Sequence, residues 1–183
     1  MSATNLPPPS PWIVRFAPLI AVDRNVLDLA CGAGRHTRFF LERGHEVTAV
    51  DRDIEGLSDL EGEANLDIVQ ADLEDGSPWP LPGRRFGAVV VTNYLWRPLL
   101  PLIVAAVDED GVLLYETFAV GNEAYGRPAR PEFLLHPGEL IEAVQGRLQI
   151  VAYEHGRVTS PRTAIKQRLC AVNRMEPVCL QLD

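Results

Sequence analysis

From residue 25 onward the chain alternates short apolar runs with amphipathic stretches. NVLDLAC (25–31) reads as a strand. RHTRFFLERG (35–44) reads as a helix, with Thr37, Phe39 and Phe40 facing inward and Gly44 as its C-cap. HEVTAVD (45–51) predicts a second strand, IEGLSDLEGEA (54–64) a weak, glycine-interrupted helix, and LDIVQAD (66–72) a third strand. In FGAVVVTNYL (86–95) the residues Ala88 to Val91 are apolar at consecutive positions. That is the pattern of a strand covered on both faces, as in a parallel sheet. RPLLPLIVAAVDEDG (97–111) predicts a helix and GVLLYETF (111–118) a fifth strand.

The two ends of the chain read differently. HPGELIEAVQG (136–146) is a helix candidate, but LQIVAYEHGRV (148–158) and AIKQRLCAVNR (164–174) are strands joined only by a polar link. Two strands so joined pair as an antiparallel hairpin. At the start, Pro7-Pro8-Pro9 favours an extended arm, and PWIVRFAPLI (11–20), broken by Pro18, reads as a strap over the core more than as a short lid helix. The whole predicts an α/β fold: a doubly wound, Rossmann-like sheet of five parallel strands plus a C-terminal antiparallel hairpin. The expected organisation is one domain over 1–183, with an N-terminal arm or lid (1–24) and an acceptor-side loop (115–140).

Composition narrows the class without naming a partner. The 183 residues carry 46% hydrophobic and 23% charged residues and a net charge of −8, ordinary for a globular protein and lacking an overall basic footprint for nucleic acid. Three cysteines (Cys31, Cys170, Cys179) have no metal-ligand spacing and fit a reducing compartment. MSATNLPPPSPW lacks the pattern of a signal peptide, and no apolar run approaches the roughly 20 residues of a membrane span. A cytoplasmic protein is expected, with no metal, no membrane contact and an oligomeric state that the sequence leaves open.

The chemistry gathers at the strand ends. In a doubly wound sheet, ligands bind in the crevice beyond the carboxyl ends of the strands. Gly32 and Gly34 follow the first strand, where glycine permits unusual backbone angles and close approach of a ligand, and the next helix points its free N–H groups there. Asp28 precedes them, Asp51 ends the second strand and Asp72 the third. A carboxylate at the second strand end accepts ribose hydroxyls. A dinucleotide is disfavoured, because the third glycine of G-x-G-x-x-G is replaced by Thr37 and Asp28 would repel a phosphate. Carboxylates at three successive strand ends suit a cationic nucleoside.

VLDLACGAGRHT, VTAVDRD and VQADLED resemble the first three motifs of class I S-adenosylmethionine-dependent methyltransferases over about residues 25–172. Ala30 departs from the glycine that the family often carries. The resemblance implies S-adenosyl-L-methionine as cofactor and S-adenosyl-L-homocysteine as product. It implies Asp28, Gly32 and Gly34 around the methionine part, Asp51 at the ribose, and Asp72 with Leu73 at the adenine. Ala30, Cys31, Arg35 and Arg52 complete the set, and Asn93 and Tyr94 lie beside the methyl group. Short members of the family resemble enzymes acting on small molecules or metalloids, including tellurite-resistance-like proteins.

A small-molecule acceptor is therefore expected, with an RNA or protein methyltransferase or a non-catalytic cofactor-binding module as alternatives and a nicotinamide oxidoreductase behind them. On the acceptor side the candidates are Tyr94, Glu116, Tyr125, Arg127 and His136. Arg127 with Arg130 would clamp an anion, and His136, Tyr125 or Glu116 would assist a proton or orient the acceptor. Trp79 and Trp96 are candidates for stacking.

Overall fold

A computed structural model describes residues 6–179, so residues 1–5 of the predicted arm lie outside the described residues. Its centre is a seven-stranded sheet in the order β3-β2-β1-β4-β5-β7-β6. The strands are β1 (Val26–Leu29), β2 (Val47–Asp51), β3 (Leu66–Gln70), β4 (Phe86–Thr92), β5 (Val107–Phe118), β6 (Gln149–Val158) and β7 (Ala164–Val172). β1 to β5 pair in parallel, while β7 pairs antiparallel to both β5 and β6. The predicted hairpin thus closes one edge by placing its second strand inside.

Central burial dictates the layers. Every residue of β1 is buried, as are Phe86 to Val91 of β4. Strands buried on both faces need cover on both. On one face α1 (Pro11–Phe16) and α2 (Arg35–Leu41) bring Trp12, Phe16, Phe39 and Phe40 onto Val26, Ala88, Val90 and Leu114. On the other, α3 (Leu100–Ala105) and α4 (Glu139–Val144) bring Ile103, Val104, Leu140 and Val144 onto Leu27, Val89 and Leu113.

Three segments depart from the expected local structure. The strap is a helix: Ser10 caps it by accepting from Trp12 N–H, and Trp12 Nε1 donates to the Leu169 carbonyl at 3.2 Å. Its aromatic residues are core, so this segment is a packed element of the sheet face. The 54–64 segment forms only a 3-10 turn, Glu55–Leu60, in keeping with its glycines. The predicted helix over 97–111 ends at Ala105, and β5 already starts at Val107 through a register irregularity, with Asp110 in the left-handed region at φ 59°.

The long connection after β5 is held by one arginine. Arg97 donates from Nε and Nη2 to the two carboxylate oxygens of Glu139 at 2.6 and 2.9 Å. It also donates to the carbonyls of Glu132 and Leu134, both at 2.8 Å. Arg97→Ala should lower unfolding free energy by about 1–3 kcal/mol, from lost charge-assisted hydrogen bonds. Urea denaturation measures this, and limited proteolysis should show new cleavage between residues 119 and 138.

Candidate active site

The strand order reverses between β1 and β4, and a cleft opens at that point. It measures about 390 Å³ and is lined by Ala30, Asp51, Arg52, Asp72, Leu73, Asn93 and Tyr94, together with Ala71, Glu74 and Phe133. Seven of the residues picked out from sequence meet here. Ala71, Glu74 and Phe133 were missed. The first two lie within the quoted motif VQADLED, but Phe133 comes from the β5–α4 connection and is brought in by tertiary folding alone.

Strained backbone flanks the cleft. Ala30, after β1, has φ 53°, and Asn93, after β4, has φ 56°. Left-handed geometry costs a residue with a Cβ about 1–2 kcal/mol, and such strain gathers at functional sites. Asp51 secures the first loop: Oδ2 accepts from Gly32 N–H at 2.8 Å and Oδ1 from Asp53 N–H at 3.0 Å. A carboxylate has about four lone-pair positions, so Asp51 retains acceptor capacity toward a ligand.

The two glycines do different jobs. Nothing lies within 4 Å of where a Gly32 side chain would start, whereas a Cβ at Gly34 would meet Leu57 Cδ2 at 2.2 Å. Gly32 leaves open space beside the loop that Asp51 holds. Gly34 permits packing against the 55–60 turn, which corrects the expectation that both admit a ligand. Cys31 is likewise buried, against Ala49 and Leu57, and burial pushes its thiol up. Asp28 is only 1% exposed and accepts from Thr37 Oγ1 at 2.7 Å, behind the loop and off the cleft surface. Burial pushes its carboxyl up to about 6, opposed by the Thr37 hydrogen bonds.

Tyr94 lines the cleft, yet its hydroxyl is buried, close to the Glu74 carboxylate. Burial, with the nearby carboxylates of Glu74, Asp72 and Asp51, pushes its phenol up and keeps it protonated at neutral pH. Tyr94 is therefore no base at neutral pH, and its hydroxyl faces the Glu74 carboxylate.

The acceptor-side candidates do not converge. Tyr125, Arg127, Arg130 and His136 are all exposed, and none lines the cleft. Arg130 pairs with Glu132, so the predicted arginine clamp is not assembled. Arg35 sits beside the N-terminal arm, its Nη1 3.5 Å from the Pro8 carbonyl. Trp79 is fastened by its own Nε1 to the Leu81 carbonyl at 3.0 Å and Trp96 packs at the core edge.

Glu116 is 3% exposed and belongs to a polar network that the linear sequence conceals. Its Oε1 accepts from Lys166 Nζ at 2.6 Å, and its Oε2 lies 2.7 Å from Arg168 Nε and accepts from Ser10 Oγ at 3.1 Å. Burial alone would raise its carboxyl, but Lys166, Arg168 and Ser10 hold it below the usual carboxylate range. Beside it, His36 Nε2 accepts from Ser10 N–H at 3.1 Å, and burial with Arg35 pushes the imidazole down to about 3. Neither group is a base poised near neutrality. The alternating Lys166 and Arg168 were visible in the sequence, but only the β5–β7 register, which pairs Glu116 with Arg168, gives them meaning.

Comparison with known proteins agrees with this geometry. Residues 26–109 match a family model described as a methyltransferase domain. Malonyl-[acyl-carrier protein] O-methyltransferase of Serratia marcescens is 30% identical over 150 residues, covering 75% of this chain and 56% of that protein. The solved structure of TehB from Haemophilus influenzae superposes with a TM-score of 0.72 at 19% identity, over 94% of this chain and 64% of that one. That of 1,6-didemethyltoxoflavin-N1-methyltransferase from Burkholderia thailandensis does so with a TM-score of 0.63 at 23% identity, over 88% and 76%. The chain thus spans just over half the length of the curated relative. Its sheet and motifs are those of a class I S-adenosylmethionine-dependent methyltransferase domain.

Asp28 gives a pH signature. Its folded value of about 6 lies above the ordinary 3.8, so folding favours the protonated acid. That contribution is complete below about pH 4 and is lost as pH rises to about 6. Asp28→Asn should therefore gain on the parent protein across this window, by up to about 1.4 kcal/mol per pH unit, and level off above it. Urea unfolding at pH 4, 5, 6 and 7 measures the difference. Separately, Gly34→Ala should cost clearly more stability than Gly32→Ala in thermal unfolding, because only Gly34 faces a packed side chain.

Proposed function

We propose that this protein transfers a methyl group from S-adenosylmethionine to a small-molecule acceptor. The observation that carries the reading is the cleft at the sheet's reversal point, which Asp51, Asp72 and Glu74 line, with the Gly32 N–H held by Asp51. Those groups fit the cofactor. Asp51 would accept from the ribose hydroxyls with its unused lone pairs, and Asp72 and Leu73 would flank the adenine. When bound, the cofactor supplies an electrophilic methyl group on a sulfonium.

The chain's own contribution is placement and exclusion of water. Ala30 and Asn93 border the cleft on strained backbone, and Phe133 closes it from the β5–α4 connection. Orientation of reactants and removal of solvent account for much of the acceleration of such a displacement. With Tyr94 held protonated, Glu116 ion-paired and His36 shifted far down, the acceptor brings its own nucleophilic atom. Support comes also from the relatives, one an O-methyltransferase and one solved with S-adenosylhomocysteine bound.

Calorimetry with S-adenosylhomocysteine tests the reading, and heat from an equal titration with a nicotinamide dinucleotide instead would reject it. Asp51→Ala should weaken nucleoside binding by about 1–3 kcal/mol, the worth of hydrogen bonds to a charged group. Asp51→Asn should lose less, since it keeps one acceptor oxygen for Gly32.

A further inference from the structure

Charge is divided across the strand tips. The β2 and β3 tips carry Asp51, Asp72 and Glu74, whereas the β5 and β7 tips gather cations in a chain whose net charge is −8. Lys166 and Arg168 share one face of β7 and meet the single carboxylate of Glu116. Arg168 and Arg15 share Glu154. Arg35 makes no ion pair among the described residues, and its field acts on Lys166. Four cations therefore surround two carboxylates.

Asn93 marks the boundary. Lys166 Nζ donates to Asn93 Oδ1 at 2.9 Å, and Asn93 lines the cleft. An ammonium has three N–H donors, and Lys166 spends two, on Glu116 and Asn93. Because Asn93 Oδ1 is taken by Lys166, its Nδ2 amide end is the one left without a partner among the described residues. Two donors on neighbouring side chains, tied together by one hydrogen bond, match the two oxygens of a planar carboxylate. The ring of the buried Phe118, its centre 5.0 Å from Lys166 Nζ, backs the ammonium.

We propose that Lys166 and Asn93 form a subsite for the carboxylate of a small organic acid, placing an anionic acceptor against the cationic donor across the reversal point. Calling this ligand the acceptor rests on the methyltransferase reading; the binding site itself does not. Lys166 is then the residue that selects for acids, and no group of the protein needs to take a proton there.

The experiment titrates malonate, and in parallel sulfate, into the protein with and without saturating S-adenosylhomocysteine, by calorimetry. Malonate should bind and sulfate should bind more weakly. Lys166→Met and Lys166→Gln should each weaken malonate about tenfold or more, the loss expected for one charge-assisted hydrogen bond, while Lys166→Arg retains most of the affinity. S-adenosylhomocysteine affinity of Lys166→Gln should stay near that of the parent, while its thermal midpoint falls because the buried Glu116 loses one of its cationic partners; Lys166→Arg, which keeps the charge, should fall less. Malonate affinity unchanged in both neutral variants, or sulfate bound as tightly as malonate, overturns the proposal. Malonate binding that persists where S-adenosylhomocysteine fails to bind would reject the methyltransferase reading and uphold the subsite.

Discussion

β1 and β4 are buried on both faces, and from that constraint the rest of the molecule follows. Two adjacent central strands without a solvent face must each be covered by helices on both sides, so the connections leave them in opposite directions. The backbone diverges where they do, and the gap at their carboxyl ends is the cleft. Polar and charged side chains have no place within β1 and β4 beyond Asp28 and Thr92, so the chemistry is pushed to the tips. Strained backbone sits at those tips as well, at Ala30 and Asn93.

The loop after β1 shows how one hydrogen bond connects fold to function. Asp51 ends a neighbouring strand, and its carboxylate takes the Gly32 N–H. The same group that would grip a nucleoside thus also shapes the loop. Gly34 belongs to the packing behind it, and Asp28, buried under Thr37, is a reserve of unfavourable charge that a cationic ligand nearby would relieve. The acids at 28, 51 and 72 look equivalent in the sequence, yet one is buried and two line the cleft.

On the other side, the N-terminal segment is tied into the site from below. Ser10 caps α1, donates to Glu116 and offers its N–H to His36. α1 itself is core, with Trp12 reaching the backbone of β7. The arm is therefore continuous with a buried polar network that runs through Glu116 and Lys166 to Asn93, and so to the edge of the cleft. Arg97 does the corresponding work for the β5–α4 connection, setting Phe133 at the cleft by holding the segment around it.

The sequence by itself determined the layers and the acids at one rim of the cleft. Consecutive apolar residues announce strands buried on both faces, a helix between strands forces parallel pairing, and a strand followed at once by a turn places its last acid at a rim. Those are local rules, so Asp51 and Asp72 could be named from their position at strand ends, whereas Ala30, Leu73, Asn93 and Tyr94 come from the resemblance to a family. The acceptor side obeyed no local rule. Which of Glu116, Lys166 and Arg168 touch depends on the register between β5 and β7. Whether Tyr125, Arg127 or His136 turns inward depends on how a long connection folds. Pairings across such separations are fixed by tertiary packing, because side-chain partners on different strands carry no mark of one another in the linear chain.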